Sequence, residues 1–311
     1  MVRRKRPPRA DISVMVPTRS PETRTSPIDL VRRRTLSRLG QRGRMGLLAG
    51  KVAGGSLDPV EKKMLQHELA IAEELQSNLL PRRIPKVPGV DLSAYYRPSE
   101  EVGGDYYDFI EIDEDHLGIA VADVSGKGIP GAMVMTEARA LLKSEAGRSL
   151  SPAETLLRVN RVLFQDIKRG MFVTMGYMVL SLRERSLTLS SAGHLPLILW
   201  RLASGTCHAI NPLGLALGID KGPLFEKKLR EERIALAPGD RFVGCTDGIV
   251  EAMNPAHEEL GAERFQRLVA LHAERASGEF VTKIIDGVEN HAGEAAQHDD
   301  ITLVTGRIVV G

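Results

Sequence analysis

Apolar residues recur along this chain with two periods, and the change from one to the other marks out its elements. Within residues 58–80, Leu65, Leu69, Ala72, Leu75 and Leu79 follow one another at spacings of three and four, the period of one helix face. Asp58 can cap that helix, Pro59 suits its first turn and Pro81 stops it. Its stripe must bury against the following domain or against a second copy of itself in a short coiled coil. From residue 90 onward the pattern shortens to the alternation and short apolar runs of strands. Strands are expected at 90–96, 106–112, 117–124, 172–182, 186–191, 196–202, 207–210, 229–236, 241–246 and 301–310. Helical periodicity returns at 130–147 and 151–168, briefly at 249–253, and again at 262–273 and 279–291. Ser151-Pro152-Ala153-Glu154 reads as a capping box with proline at the first helical position.

Strands, a helix pair, many strands, a second helix pair and a last strand make an α+β order. It predicts a central antiparallel β-sandwich with helix pairs on its outer faces. A doubly wound parallel sheet would need regular strand–helix alternation, which this order lacks. The chain divides into a disordered basic arm (1–56), an amphipathic linker helix (57–81) and a folded domain (82–311).

Composition changes this picture in three places. The net charge of +2 hides an asymmetry, because fourteen of the 42 Lys/Arg and only three of the 40 Asp/Glu fall within residues 1–51. No aromatic residue interleaves those charges, so the arm reads as a solvated tail rather than a specific nucleic-acid binder. Cys207 and Cys245 are the only cysteines. Two cysteines make no disulfide framework and point to a reducing, cytoplasmic setting. No apolar run approaches the roughly 18 residues that span a bilayer, and no apolar segment follows the basic start as in a secretory signal.

Candidate chemistry gathers in residues 101–130. Two apolar runs joined at a polar turn form a hairpin, and a turn centred near Glu114 sets Asp105 opposite Asp123. Like charges facing across a hairpin are destabilising, and a hard divalent cation is the simplest way to keep them. Asp247 stands at another strand end, as does Asp299 or Asp300. If these ends share one edge of the sandwich, their carboxylates need cations to stay ionised. Two hard ions bridged by aspartates and waters suit in-line attack of activated water on a phosphoryl group.

Five phrases in order, VGGDYYDF (102–109), ADVSGKGIPGAM (122–133), SAGHLPLIL (191–199), TDGIVEAMN (246–254) and HDDIT (298–302), resemble the SpoIIE-type phosphatase domain. That domain belongs to the metal-dependent PPM (type 2C) Ser/Thr protein phosphatases. The resemblance covers about residues 80–309 and implies the same sandwich flanked by helix pairs. It implies Asp105, Asp123, Asp247 and Asp299 as catalytic metal ligands for two Mn²⁺ or Mg²⁺ ions. The Val124 carbonyl would join them, where the family commonly has glycine. It further implies a phosphoserine or phosphothreonine substrate on a regulatory protein such as an anti-sigma-factor antagonist. Helices 130–147 and 151–168 would answer upstream regulation.

Ser125 and Lys127 stand where many PPM phosphatases carry a proton-donating histidine, so the general acid is unassigned. Lys127 is expected to meet either phosphate or solvent, and Arg97 is a phosphate-binding candidate by proximity alone. His194 reads as a hydrogen-bonding turn residue, Asp108 and Asp113 as members of a solvated strand face, and Cys245 as inert. The rival reading is a catalytically silent interaction module of the same fold, whose mark would be lost acids; all of them are retained. A nucleotide cyclase is a poorer rival, because Tyr106 and Tyr107 replace the acids that should follow Gly103-Gly104-Asp105.

Overall fold

The computed structural model describes residues 59–309. The expected arm at 1–56 and the Asp58 cap lie outside them. In chain order the elements are α1 (Pro59–Ser77), β1 (Val90–Arg97), β2 (Tyr106–Glu111), β3 (His116–Val124), α2 (Ile129–Ala146), α3 (Pro152–Asp166), β4 (Val173–Ser181) and β5 (Ser186–Ala192). There follow β6 (Leu197–Arg201), β7 (Thr206–Ile210), α4 (Pro223–Lys228), β8 (Glu231–Ala235), β9 (Arg241–Cys245), α5 (Asp247–Val250), α6 (Gly261–His272), α7 (Ser277–Ala292) and β10 (Ile301–Ile308).

The strands make two antiparallel sheets, one ordered β1-β10-β9-β6-β7 and the other β2-β3-β4-β5-β8. Period-two alternation explains the layers. In β6, Leu197 and Leu199 face the core between the sheets, while Ile198 and Trp200 face a second core. β9 does the same with Phe242 inward and Val243 and Cys245 outward. α6 and α7 pack on each other and cover that outward face. α2 and α3 pair likewise on the outer side of the second sheet. The result is the expected sandwich with a helix pair on each face. No helix among the described residues is long and apolar enough to cross a membrane.

Local chemistry sets the elements. The β2–β3 register pairs Tyr106 with Ala122 and Glu111 with Leu117, so the hairpin centres on Glu114 as the sequence implies. Ser151 accepts a hydrogen bond from the Glu154 N–H at 3.1 Å, the first half of the capping box. The Glu154 carboxylate takes the Ser149 hydroxyl at 2.6 Å. α4 was not legible in the apolar pattern. It forms because the Asp220 carboxylate accepts from the N–H groups of Gly222, Leu224 and Phe225 and so starts the turn, with Phe225 buried beneath.

One expectation changes, and one pair of alternatives narrows. Asp108 is buried, not solvated. α2 covers it, and its Oδ2 accepts from Lys143 Nζ at 3.0 Å and Tyr106 Oη at 2.9 Å. The stripe of α1 stays largely uncovered: Leu65 is 41% and Leu75 63% exposed, with Val60, Met64 and Ile71 exposed beside them. Only the end of the segment is anchored, where Gln76 and Leu80 are buried.

Arg241 joins β9 to the α6–α7 connection. Its buried guanidinium donates to the carbonyls of Ala273 and Arg275 and the hydroxyls of Ser277 and Thr305, and lies 4.2 Å from the Phe280 ring centroid. Burial lowers its pKa to about 10, and the charge of Asp91 opposes that shift. Arg241→Met keeps apolar bulk but strands those acceptors. The expected cost is about 2–4 kcal/mol. Calorimetry should show a Tm lower by about 5–15 °C; an unchanged Tm would mean the acceptors find other donors.

Candidate active site

The loop between β1 and β2 carries the first acid, and two side chains distant in sequence fix it. Asp300 Oδ1 accepts from Ser99 N at 2.6 Å, and its Oδ2 accepts from Gly104 N at 2.7 Å and Asp105 N at 3.3 Å. Gln76, at the end of α1, holds the Gly103 peptide from the other side. Its Nε2 donates to Gly103 O at 2.6 Å and its Oε1 accepts from Gly103 N at 2.9 Å. Residue 103 must be glycine here, because a Cβ would collide with the Asp300 carboxylate and Tyr96 Oη.

Asp105 emerges from this loop 1% exposed. Its Oδ2 accepts from Thr246 Oγ1 at 2.7 Å and Thr302 Oγ1 at 2.6 Å. Burial, then the charges of Asp300 and Asp123, hold its carboxyl well above the usual range, and the two threonines oppose them. The β2–β3 register, continued one step past Tyr106–Ala122, sets Asp105 across from Asp123.

Asp123 and Asp247 line one open cleft with Thr174, His194, Asn211 and Glu251. Asp247 reaches it because β9 runs straight into α5. Together with burial, the charges of Asp247 and Asp105 push the Cys245 thiol up to about 12, so that thiol is inert. Asp299 stands at the same edge beside Lys127, whose Nζ lies 3.1 Å from Asp299 Oδ2 and also donates to the His298 carbonyl. The Val124 carbonyl faces the backbone of Gly104.

The fold therefore brings Asp105 together with Asp123 and Asp300, and Asp123 together with Asp247. Among the described residues, no three His, Cys, Asp or Glu side chains stand close enough to hold a metal ion as they are placed. The donor set still suits a hard divalent cation: it is made of carboxylate and carbonyl oxygens, and negative charge converges on the buried Asp105 carboxylate. Asp105, Asp123, Asp247, Asp299 and the Val124 carbonyl could hold such ions. Asp300 differs from Asp299, because backbone N–H groups occupy both of its oxygens.

Three sequence expectations acquire partners. Arg97 pairs with Glu289 on α7 at 2.6 Å. Lys127 meets Asp299 rather than solvent alone. His194 Nδ1 lies 2.9 Å from Thr174 Oγ1, and burial lowers the ring's pKa to about 4, so it is neutral at pH 7. Sequence reading missed Gln76, Thr246 and Thr302. The two threonines carried a signal, since each is a hydroxyl placed next to or within three residues of a candidate acid; Gln76 carried none.

Comparisons with known proteins agree with this fold. The family described as Stage II sporulation protein E (SpoIIE) matches residues 113–309. The phosphoserine phosphatase RsbU of Bacillus subtilis is 30% identical over 240 residues, which are 77% of this chain and 70% of RsbU. The phosphoserine phosphatase RsbP of the same organism is 28% identical over 191 residues, 60% of this chain and 46% of RsbP. In structure, the SiaA-PP2C domain of Pseudomonas aeruginosa superposes with a TM-score of 0.70 at 26% identity, covering 79% of this chain and 97% of that domain. Sequence and fold together show that the chain belongs to the SpoIIE family of PP2C-type phosphatases.

Proposed function

We propose that this chain removes phosphate from a phosphoserine or phosphothreonine on a regulatory protein, using two divalent cations, Mn²⁺ or Mg²⁺. The ligands in this reading are Asp105, Asp123, Asp247, Asp299 and the Val124 carbonyl. The carrying observation is that separate chain segments deliver Asp105, Asp123 and Asp247 to one sandwich edge, in a family whose relatives include phosphoserine phosphatases. Bound cations would offset the phosphoryl charge and lower the pKa of water.

The chain's own residues do the positioning. Thr246 and Thr302 orient the Asp105 carboxylate. Asp300 holds the loop that presents it, and Lys127 partly neutralises Asp299. The open cleft beside Asp123 and Asp247 admits a phosphorylated side chain presented by another protein. An anti-sigma-factor antagonist is the substrate the family resemblance implies. A silent module would be free to lose these acids, and their retention with supporting hydroxyls favours the enzyme.

Regulation enters through α1. Gln76 gives it a direct route, because it grips the peptide two residues before Asp105. The uncovered apolar stripe above it suits a second copy of the same helix, so a homodimer formed through residues 58–80 would set the position of Gln76.

Asp123→Ala and Asp247→Ala should each bring Mn²⁺-dependent hydrolysis of p-nitrophenyl phosphate down to the level seen with EDTA. The metal-free Tm should stay level or rise slightly, because a repelling charge is gone. Full Mn²⁺-dependent turnover in both variants would remove the metal reading.

Gln76→Ala should loosen the 99–105 loop by about 1–3 kcal/mol, the worth of two hydrogen bonds to a buried peptide. Hydrogen exchange in that loop, read by mass spectrometry, should quicken by roughly tenfold or more; unchanged exchange would show that Asp300 alone holds the loop.

Leu69→Asp combined with Leu75→Asp should convert a dimer to a monomer in light scattering. A monomeric parent protein, or a double variant of unchanged mass, would end the dimer proposal.

A further inference from the structure

His194 lies where the chain crosses from one sheet to the other. β5 belongs to the second sheet and β6 to the first, and the crossover between them is Gly193-His194-Leu195-Pro196. Gly193 adopts φ +68°, and a Cβ there would press on the Ala216 backbone. Ser191 already holds this turn, since its Oγ accepts from His194 N at 3.1 Å and donates to His194 O at 3.3 Å. The imidazole is therefore not needed to make the turn.

His194 is 8% exposed and lies on the cleft wall with Asp123 and Asp247. Its Nδ1 meets Thr174 Oγ1 at 2.9 Å. Thr174 is the cross-strand partner of Asp123, and its hydroxyl also reaches the Asp123 carbonyl at 3.4 Å. On the other side Nε2 makes no well-formed hydrogen bond. The Cys245 backbone is the protein group that favours a proton on the ring, and Cys245 ends β9 two residues before Asp247. The buried side chain thus meets the strand end that carries Asp123 through Thr174 and shares the cleft wall with Asp247.

We propose that His194 is a positioning residue that, with Thr174, sets the separation of Asp123 and Asp247 and so the affinity of the site for divalent cations. This rests on the metal reading above. A buried histidine of purely structural value would change stability when removed and leave cation affinity per folded molecule alone. A spacer between two ligand-bearing strands changes the affinity itself, as groups that orient metal ligands generally do.

The test is isothermal titration of Mn²⁺ into the full-length chain, as wild type, His194→Ala, Thr174→Val and the double variant, each with its Tm. His194→Ala should weaken Mn²⁺ binding by about tenfold or more, in the range found when outer partners of metal ligands are lost. Thr174→Val, which keeps the side-chain shape, should weaken it in the same direction. The double variant should bind no more weakly than His194→Ala, because both changes break one contact. If His194→Ala does not fold, Thr174→Val decides. Wild-type affinity in the folded variants overturns the role of His194 while leaving the metal reading intact. Wild-type protein that binds no Mn²⁺ overturns both.

Discussion

A carboxylate held almost entirely out of water, with other carboxylates as its nearest charges, is the constraint on which the rest of the site depends. Removing an ion from water costs several kcal/mol after relaxation. Hydrogen bonds to a charged group return about 1.5–3 kcal/mol each. Thr246 and Thr302 supply two such bonds to Asp105, which offsets much of the burial and nothing of the repulsion from Asp123 and Asp300. The remaining imbalance explains why this edge of the sandwich is furnished with hydroxyls, backbone N–H groups and one lysine. It also explains why oxygen-loving cations are the ligand class that matches it.

The sandwich is built to deliver that edge. Its central strands β6 and β9 place alternate residues in two different cores, so a one-residue slip would put each set on the wrong face. β9 shows the point most clearly. Phe242 is locked between the sheets, while Val243 and Cys245 lie under α6 and α7. Arg241 ties its start to the helix connection. A strand fixed on both faces and at one end delivers its other end, Asp247, to a defined place.

Much of this was legible in the sequence because it depends on local pattern. The Glu114-centred turn, the register across it, the Ser151 cap and the two helix pairs follow from spacing and turn chemistry. What was not legible depends on partners that lie on other elements, up to about two hundred residues away. Nothing near Asp299 and Asp300 says which one the loop at 99–105 will occupy; the answer comes from Ser99 and Gly104 N–H groups that meet Asp300 only in the assembled fold. Asp108 looked solvated because its strand alternates, and α2, which buries it, arrives some twenty residues later. Gln76 sits on a helix whose stripe is apolar, and a single glutamine there has no signature. In each case the missing information was tertiary and the residue polar.

The place of β10 in the sheet bears on how the protein is made. It is the last strand of the described fold, yet it lies between β1 and β9. Until it emerges during synthesis, both neighbours present open edges of unpaired backbone, the kind of surface that recruits chaperones or other chains. Asp300 and Thr302 arrive with it, so their hold on the loop around Asp105, unlike that of Gln76, is made only once β10 has been synthesised. Long-range closure of this kind also slows folding relative to proteins that pair neighbouring segments.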